Sequence, residues 1–299
     1  MPAGAETVTG VPGRGAARRG EHRPGIRPKA IILDVYGNLA RHDLETWLAT
    51  AHLIALMGDV GVDERSVRSA ASRMKRAGLL VTDRRGRLAG YALSDAAREI
   101  VEEGDRRIFG AVEPAVLGDG WTLAVFSVPE SDRAKRHVLR SRLGWLGFGH
   151  LVPGVWIAPR RLVTEARRLI ERAGLGEYVD LFEVSYRGFD DVRGLVRRSW
   201  DLDRLGRMYA AFVAEQRPVL VRWRRARASD DRSAFADYLL AVHQWRKFPY
   251  LDPGLPLEVL PRGWPGRDAA ELFGGLVERL EGPAMRHVQA LLATCPGGK

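Results

Sequence analysis

The chain has 299 residues, 45% of them hydrophobic, and 47 Lys and Arg against 37 Asp and Glu give it a formal net charge of +10. This length allows two or three domains with hydrophobic cores, and the basic balance favours a polyanionic partner. The single cysteine, Cys295, excludes an intrachain disulfide and a thiolate-rich metal site. No apolar run reaches the ~20 residues needed to cross a bilayer, and the N-terminus lacks the apolar core of a signal peptide, so we expect a cytoplasmic protein.

The position of the charge is more informative than its total. Arginine supplies 42 of the 47 basic residues, a bias that coding composition also produces. Residues 61–93, however, carry eight Lys or Arg against three Asp or Glu. Residues 1–28 contain ten Gly or Pro and five Arg, a composition that buries too little surface to fold, so they are predicted to form a disordered tail.

Apolar spacing predicts three helices in the first part of the chain after the tail. The first two cover Ala30–Ala40 and Leu44–Met57. The third begins after Asp63, whose carboxylate can accept from the free N–H groups of the first turn, and ends at Gly78, which suits a left-handed residue after a helix. Its apolar side is narrow, and its outer side is basic.

Two short strands follow the third helix and are joined by an arginine-rich turn. The strands cover Leu79–Thr82 and Leu88–Leu93, around Asp83–Gly86. A basic helix followed by a basic hairpin is typical of the recognition helix and wing of a winged helix-turn-helix domain, where helix residues reach bases and wing residues reach phosphates or the minor groove. The alternative is an ordinary solvated helix and hairpin. The candidate DNA-binding residues are Arg65, Arg68, Ser69, Ser72, Arg73, Arg76, Arg84, Arg85 and Arg87.

A second domain is predicted after an acidic helix capped by Ser94 and a linker over residues 111–120. The nearly continuous apolar run Trp121–Val128 is typical of a strand covered on both faces. Helices and strands then alternate in the order β-α-β-β-α-β of a ferredoxin-like unit. The remaining predicted elements of this domain are a helix over Asp132–Leu146, strands over Phe148–Leu151 and Val155–Ala158, a helix over Leu162–Ala173 and a strand over Tyr178–Tyr186.

The remainder is predicted to be helical. Helices are expected over Leu202–Gln216, over Ala234–Trp245 with Ser233 as its cap, and over 268–281 and 283–293, with a proline-rich connection over 248–266. The predicted class is therefore a multidomain α+β protein, with a tail over 1–28, a winged-helix domain over 29–110, a ferredoxin-like domain over 119–190 and a C-terminal helical domain over 195–295.

Several segments together resemble the phenylacetic-acid-degradation repressor (PaaX) family of bacterial transcription regulators. The resemblance spans roughly residues 29–293, with Met74 where such helices usually carry Leu, and with the 28-residue tail as an extra. The segments that carry it are Val67-Arg68, Ser72-Arg73-Met74, Gly78-Leu79, Trp121–Glu130, Leu143–Gly149, Pro153–Arg160, Phe248-Pro249, Asp252-Pro253, Leu255-Pro256, Leu260-Pro261 and Trp264–Gly266.

The resemblance implies a repressor that an aryl-acetyl-CoA thioester, such as phenylacetyl-CoA, releases from an operator in double-stranded DNA. We expect a homodimer, because a two-fold protein matches a palindromic operator. A CoA site needs basic side chains for its phosphates and apolar walls for its acyl group. The residues that can supply these in the middle domain are Arg133, Lys135, Arg136, Arg140, Trp145, Trp156 and Arg160. The alternative is that the basic residues form a solvated face and the tryptophans belong to the core; the Arg217–Arg227 cluster is ambiguous in the same way.

The rival class is an enzyme, because ferredoxin-like domains also resemble the small nucleases of CRISPR adaptation. A metal-dependent nuclease needs carboxylates that converge on Mg²⁺. The strand Leu123–Val128 has none, and Asp119, Glu130 and Asp132 lie only near its ends. The histidines are scattered without a ligand pair, and no nucleophile elbow occurs. We therefore predict no catalytic or metal-binding residues and no resident cofactor.

Overall fold

A computed structural model of the protein describes residues 27–110, 114–227 and 230–294. Nearly all of the predicted disordered tail, and Cys295, lie outside the described residues. The described chain is a mixed α+β structure with helices and a small sheet at its N-terminal end, a second sheet in the middle, and helices at its C-terminal end. No helix in these described ranges has the length and apolar character required to cross a bilayer.

Residues 27–110 form helices packed against a small antiparallel sheet with the strand order β1-β3-β2. The elements are α1 (Pro28–Arg41), β1 (Trp47–Ala49), α2 (Thr50–Asp59), α3 (Glu64–Arg76), β2 (Leu80–Arg85), β3 (Leu88–Leu93) and α4 (Asp95–Phe109).

The predicted start and end of α3 are confirmed. The Asp63 carboxylate accepts a hydrogen bond from the backbone N–H of Ser66 at 2.9 Å, so it satisfies a donor that the first turn leaves free. Gly78 has a φ of +70°, the left-handed conformation that ends the helix and turns the chain into β2. The predicted apolar side of α3, from Val67 to Met74, is buried in the core.

The predicted helix over Leu44–Met57 begins too early. Residues Trp47–Ala49 form strand β1, which pairs antiparallel with β3, and helix α2 starts only at Thr50. The pairing requires Gly90 on β3, because a Cβ there would lie 2.4 Å from the carbonyl oxygen of Leu48 and 2.7 Å from the Trp47 ring. A three-residue strand has too short a pattern to be separated from the helix that follows it.

Residues 114–227 begin with a four-stranded antiparallel sheet in the order β5-β6-β4-β7. Its elements, with the helix that follows, are β4 (Trp121–Phe126), α5 (Arg133–Trp145), β5 (Gly149–Val152), β6 (Val155–Pro159), α6 (Val163–Arg172), β7 (Val179–Val184) and α7 (Val192–Ser199).

Strand β4 is covered on both faces, as predicted. Ala124 and Phe126 face a core that α5 and α6 complete. Trp121 and Leu123 face a second core, built with α7 and part of the proline-rich connection. Sequence analysis missed α7. This helix is capped by Asp191, whose carboxylate accepts a hydrogen bond from the backbone N–H of Gly194 at 2.7 Å.

The C-terminal helices differ in length and division from those predicted. They are α8 (Leu202–Arg225), α9 (Asp231–Trp245), α10 (Phe248–Leu251) and α11 (Gly266–Leu292). Helix α8 continues through Pro218, and α11 continues through Pro283 instead of dividing into two helices. Each helix buries apolar residues on both sides of its proline, and this packing offsets the lost backbone hydrogen bond. Asp230, not Ser233, caps α9.

One hydrophobic core joins the N-terminal and C-terminal helices. It contains residues of α1 to α4 together with residues of α8, α9 and α11. Two buried carboxylates, Asp34 on α1 and Asp59 on α2, form ion pairs across this contact. Asp59 lies 2.6 Å from Nε of Arg232 and 2.7 Å from Nε2 of His287. The N-terminal helices are therefore fastened directly to the C-terminal ones.

Candidate functional site

The outward face of α3 carries every predicted helix residue of the DNA-binding set in an exposed position. Two of its arginines are held by neighbours one turn away. Nε of Arg68 donates to Glu64 at 2.7 Å, and Nη1 of Arg73 donates to the hydroxyl of Ser69 at 2.5 Å. These pairs align the side chains along the helix, and exposed pairs of this kind are weak enough to exchange partners.

The β2–β3 hairpin presents its arginines in two different ways. Arg85 is bonded to Glu45, lies 3.5 Å from Asp83 and stacks 4.7 Å from the centre of the Trp47 ring, so it holds the hairpin to β1. Arg84 and Arg87 are exposed and have no ion pair within the described residues. The α3 side chains and two arginines of the hairpin are thus exposed on elements that contact each other through α3 and β2.

Some of the predicted effector residues of the middle domain are engaged in other contacts, and others are exposed. Arg136 donates to Glu130 at 3.0 Å and to the Val128 carbonyl at 2.6 Å, and Arg160 pairs with Glu183. Arg133 and Arg140 are exposed on α5. Lys135 donates to the Tyr178 hydroxyl at 2.7 Å, and this hydrogen bond raises the pKa of Lys135.

The two predicted effector tryptophans make different ring contacts. Trp145 stacks on Tyr250 with ring centroids 4.3 Å apart, and the guanidinium of Arg107 lies 5.3 Å from its ring centre. Trp156 packs edge-on to His150. Of the whole predicted set, only Trp145 lines either of the two cavities described next.

The larger cavity has a volume of about 790 Å³. It lies among the end of α4, the residues Gly110 and Pro114, helices α8 and α9, the proline-rich connection and α11. Six aromatic side chains line it: Phe109, Tyr209, Trp245, Phe248, Trp264 and Phe273. The Tyr209 hydroxyl donates to Asp252 at 2.9 Å, and burial raises the pKa of both groups. A cavity of this size and lining is the kind that takes a small molecule.

The smaller cavity, of about 210 Å³, lies between α1, α4 and α9. Asn38, which is 4% exposed, lines it, and its Oδ1 has no hydrogen-bond partner in the described structure. Ile108 and Phe109 line both cavities, so the last turn of α4 separates them.

Sequence analysis missed the larger cavity because the local sequence pattern already assigns its lining residues to other features. Tyr209 belongs to the apolar stripe of α8, and Phe248 and Trp264 belong to the proline-rich connection. The available signal was the aromatic content of that connection, which has three aromatic residues between 248 and 266. Local periodicity does not show which elements enclose a space.

Two of the three carboxylates considered for a nuclease, Glu130 and Asp132, are engaged in other contacts. Asp132 lies 3.4 Å from Nζ of Lys135 and accepts from the Tyr178 hydroxyl at 3.0 Å. Glu130 pairs with Arg136 at 3.0 Å. Among the described residues, no group of three or more His, Cys, Asp and Glu side chains is arranged to hold a metal ion.

Three family models match the chain in succession. The model for PaaX-like protein matches residues 27–97, that for the PaaX protein central Cas2-like domain matches 114–196, and that for the PaaX-like protein C-terminal domain matches 200–290. The chain is 30% identical over 266 residues to the transcriptional repressor PaaX of Escherichia coli (strain K12), covering 87% of this chain and 82% of that protein.

A solved structure shares the fold. The uncharacterized protein Rv0674 from Mycobacterium tuberculosis matches 89% of this chain and 99% of its own, with a TM-score of 0.54 and 23% sequence identity. This likeness concerns the arrangement of the elements.

Proposed function

Because the chain belongs to the PaaX family of transcription regulators, we propose that it is a transcriptional repressor that binds a double-stranded DNA operator. The observation that carries the proposal is the single basic surface formed by the outer face of α3 and the β2–β3 hairpin. The similarity to a repressor 30% identical over most of both chains supports it. The proposal assigns the protein no enzymatic activity.

We assign the N-terminal elements as a winged helix and the middle sheet as a ferredoxin-like unit. Helix α3 followed by the hairpin β2–β3 supports the first assignment, and the strand order β5-β6-β4-β7 supports the second. In the major groove, α3 would present Arg65, Arg68 and Arg73 to bases and phosphates, since arginine binds guanine through two hydrogen bonds. Ser69, Ser72 and Arg76 would add phosphate contacts.

The hairpin would lie along the DNA backbone as a wing. Two hairpin arginines, Arg84 and Arg87, are exposed and have no ion pair among the described residues. They are therefore suited to bind phosphates or to enter the minor groove. Arg85 would act indirectly, because its contacts with Glu45 and Trp47 hold the hairpin in position.

The active form is proposed to be a cytoplasmic homodimer whose DNA affinity an acyl-CoA effector controls. A two-fold protein matches a palindromic operator and doubles the contacts. An aryl-acetyl-CoA that binds the DNA-incompetent conformation more tightly would shift the population away from the operator. The exposed arginines of α5, Arg133 and Arg140, stay candidates for the phosphates of the carrier.

DNA binding is tested by fluorescence anisotropy on a duplex from the upstream region of its own gene, at several salt concentrations. Affinity should fall steeply with salt, because neutralised phosphates release counterions. Arg68→Ala and Arg73→Ala should each weaken binding by about tenfold and leave the fold unchanged in circular dichroism. Arg168→Ala, which removes an exposed arginine of α6, is the control and should bind like wild type.

The result that would contradict this assignment is wild-type affinity in both α3 variants. In that case α3 is not the recognition helix. Weak, salt-sensitive binding that does not distinguish the upstream duplex from an unrelated duplex would contradict the proposal of a specific operator.

A further inference from the structure

We propose that the arginine cluster over residues 217–227, at the C-terminal end of α8, binds the phosphate backbone of the duplex DNA that flanks the site read by α3. This inference rests on the proposed function, because it extends the DNA contact of that repressor onto the C-terminal helices. The sequence pattern alone leaves the segment ambiguous between a ligand-binding cluster and a solvated face.

The charge of the cluster is of one sign. Residues 217–227 hold five arginines and no Asp or Glu. The helices that follow mix signs, as in the adjacent Asp231 and Arg232 at the start of α9, so a general excess of arginine does not account for the cluster. The dipole of α8 favours arginines in its last turn, but this effect is limited to that turn. Arg217 lies more than two turns before the end of the helix.

Four of the five arginines are available to a partner. Arg217, Arg224, Arg225 and Arg227 are exposed and have no ion pair among the described residues. The first three share one face of α8, because positions i, i+7 and i+8 of a helix lie on the same side. They cover about 12 Å of the helix, which matches three or four phosphates spaced at about 3.4 Å along one DNA strand.

The cluster is fastened to the helix that precedes α3. On α9, the Asp237 carboxylate accepts from Arg222 and from Nε1 of Trp223 at 2.7 Å, so it holds the end of α8. Five residues earlier on α9, Nε of Arg232 lies 2.6 Å from the carboxylate of Asp59, the last residue of α2. Five residues of helix span about 8 Å. The end of α8 and the end of α2 therefore attach to one short stretch of α9.

This attachment places the cluster beside DNA in the proposed complex. In a helix-turn-helix, the first helix crosses the DNA backbone and the second lies in the major groove. Here these helices are α2 and α3, joined by the turn after Asp59. An element held at the end of α2 lies next to the backbone beyond the base pairs that α3 reads. Phosphate contacts there add affinity without reading the sequence.

The test is fluorescence anisotropy of the full chain with two duplexes from the upstream region of its own gene. The short duplex is trimmed to the length at which Arg68→Ala still weakens binding, and the long one extends it by about ten base pairs, one helical turn, on each side. Arg224→Ala combined with Arg225→Ala should weaken binding to the long duplex about tenfold. It should also lower the slope of log K against log salt by about 2, because each lost phosphate contact retains a counterion.

The same double variant should bind the short duplex like wild type. On a long duplex of unrelated sequence it should lose the same factor, because phosphates do not vary with sequence. Arg224→Lys combined with Arg225→Lys keeps both charges and should keep most of the affinity, since lysine binds phosphate as a point charge.

The matched control is Arg204→Ala combined with Arg207→Ala. These two exposed arginines lie on the same helix, with Arg204 about 30 Å from Arg224 along the axis, and their removal changes the net charge by the same amount. This variant should bind the long duplex like wild type. Circular dichroism shows that each variant is folded.

Wild-type affinity and salt slope of the Arg224 and Arg225 alanine variant on the long duplex would overturn the inference and leave the cluster to a protein partner. An equal loss in the control would also overturn it, because net charge rather than position would then set the affinity. Both results leave the proposed function standing if the α3 variants lose binding.

The opposite outcome separates the two claims as well. If the α3 variants bind like wild type while the Arg224 and Arg225 alanine variant loses affinity for the long duplex, the recognition-helix assignment fails and the DNA contact of α8 stands. A wild-type protein that binds no duplex overturns both.

Discussion

The carboxylate of Asp34 accepts a hydrogen bond from Nη1 of Arg246 at 2.5 Å, although 212 positions separate the two residues. Nδ1 of His243 lies 2.7 Å from the other oxygen of the same carboxylate. Only 4% of the Asp34 side chain is exposed. A buried carboxylate with two partners therefore ties α1, which supports the proposed DNA-binding helix, to α9.

Replacing Asp34 by alanine should destabilise the protein strongly. The substitution leaves Arg246 and His243 without their acceptor, and breaking a buried ion pair costs about 3–5 kcal/mol. We expect the free energy of unfolding to fall by about 3 kcal/mol, the lower end of this range, because Arg246 and His243 are partly exposed. Urea unfolding followed by circular dichroism measures it. Glu99→Ala removes an exposed carboxylate of α4 and is the control; equal urea midpoints for the two variants would contradict the role of Asp34.

The close approach of β1 and β3 makes the size of residue 90 critical. Gly90→Ala should lower the free energy of unfolding by about 1–3 kcal/mol, because the added Cβ meets the Leu48 carbonyl and the Trp47 ring. Gly58→Ala on α2 is the matched control. No described atom lies within 4 Å of its Cβ position, so it should stabilise the protein by up to about 1 kcal/mol through helix propensity. Thermal unfolding of both variants measures the difference, and a stabilised Gly90→Ala would show that β1 does not pair as described.

His42 makes stability depend on pH. Burial lowers the pKa of His42, the neighbouring Arg41 lowers it further, and Asp43 opposes them. Because the folded-state pKa lies below the ordinary value of 6.5, the unfolded chain binds the proton more readily. The contribution of His42 to the free energy of unfolding is complete above pH 6.5. It is lost as the pH falls below 6.5 toward the folded-state pKa.

The measurement compares thermal unfolding at about pH 7.5 and at about pH 5.5, above and below the ordinary pKa of 6.5. His42→Gln should lose less stability on acidification than wild type, since glutamine does not titrate. His137→Gln, which replaces an exposed histidine of α5, is the control. An acid-induced loss in His42→Gln as large as that of wild type would assign the effect to other histidines.

The predictions that succeeded rest on residues close together in the chain. The start of α3 at Asp63 and its end at Gly78 depend on hydrogen bonds within about one turn. The nearly continuous apolar run that begins at Trp121 predicts a strand covered on both faces, and β4 is one. The errors arose where distant contacts override local preference. Strand β1 exists because β3 offers it a partner, and α11 passes Pro283 because its apolar side is buried on both sides of the proline.

The sequence by itself determined the family, the α+β class and the basic surface of α3 and its hairpin, because capping residues, periodicity and charge position act within short segments. Only the tertiary structure decided where the larger cavity lies. The six aromatic residues of the larger cavity come from α4, α8, α9, the proline-rich connection and α11. Their convergence depends on the packing of helices that are distant in the chain, and no local pattern encodes which space that packing leaves open.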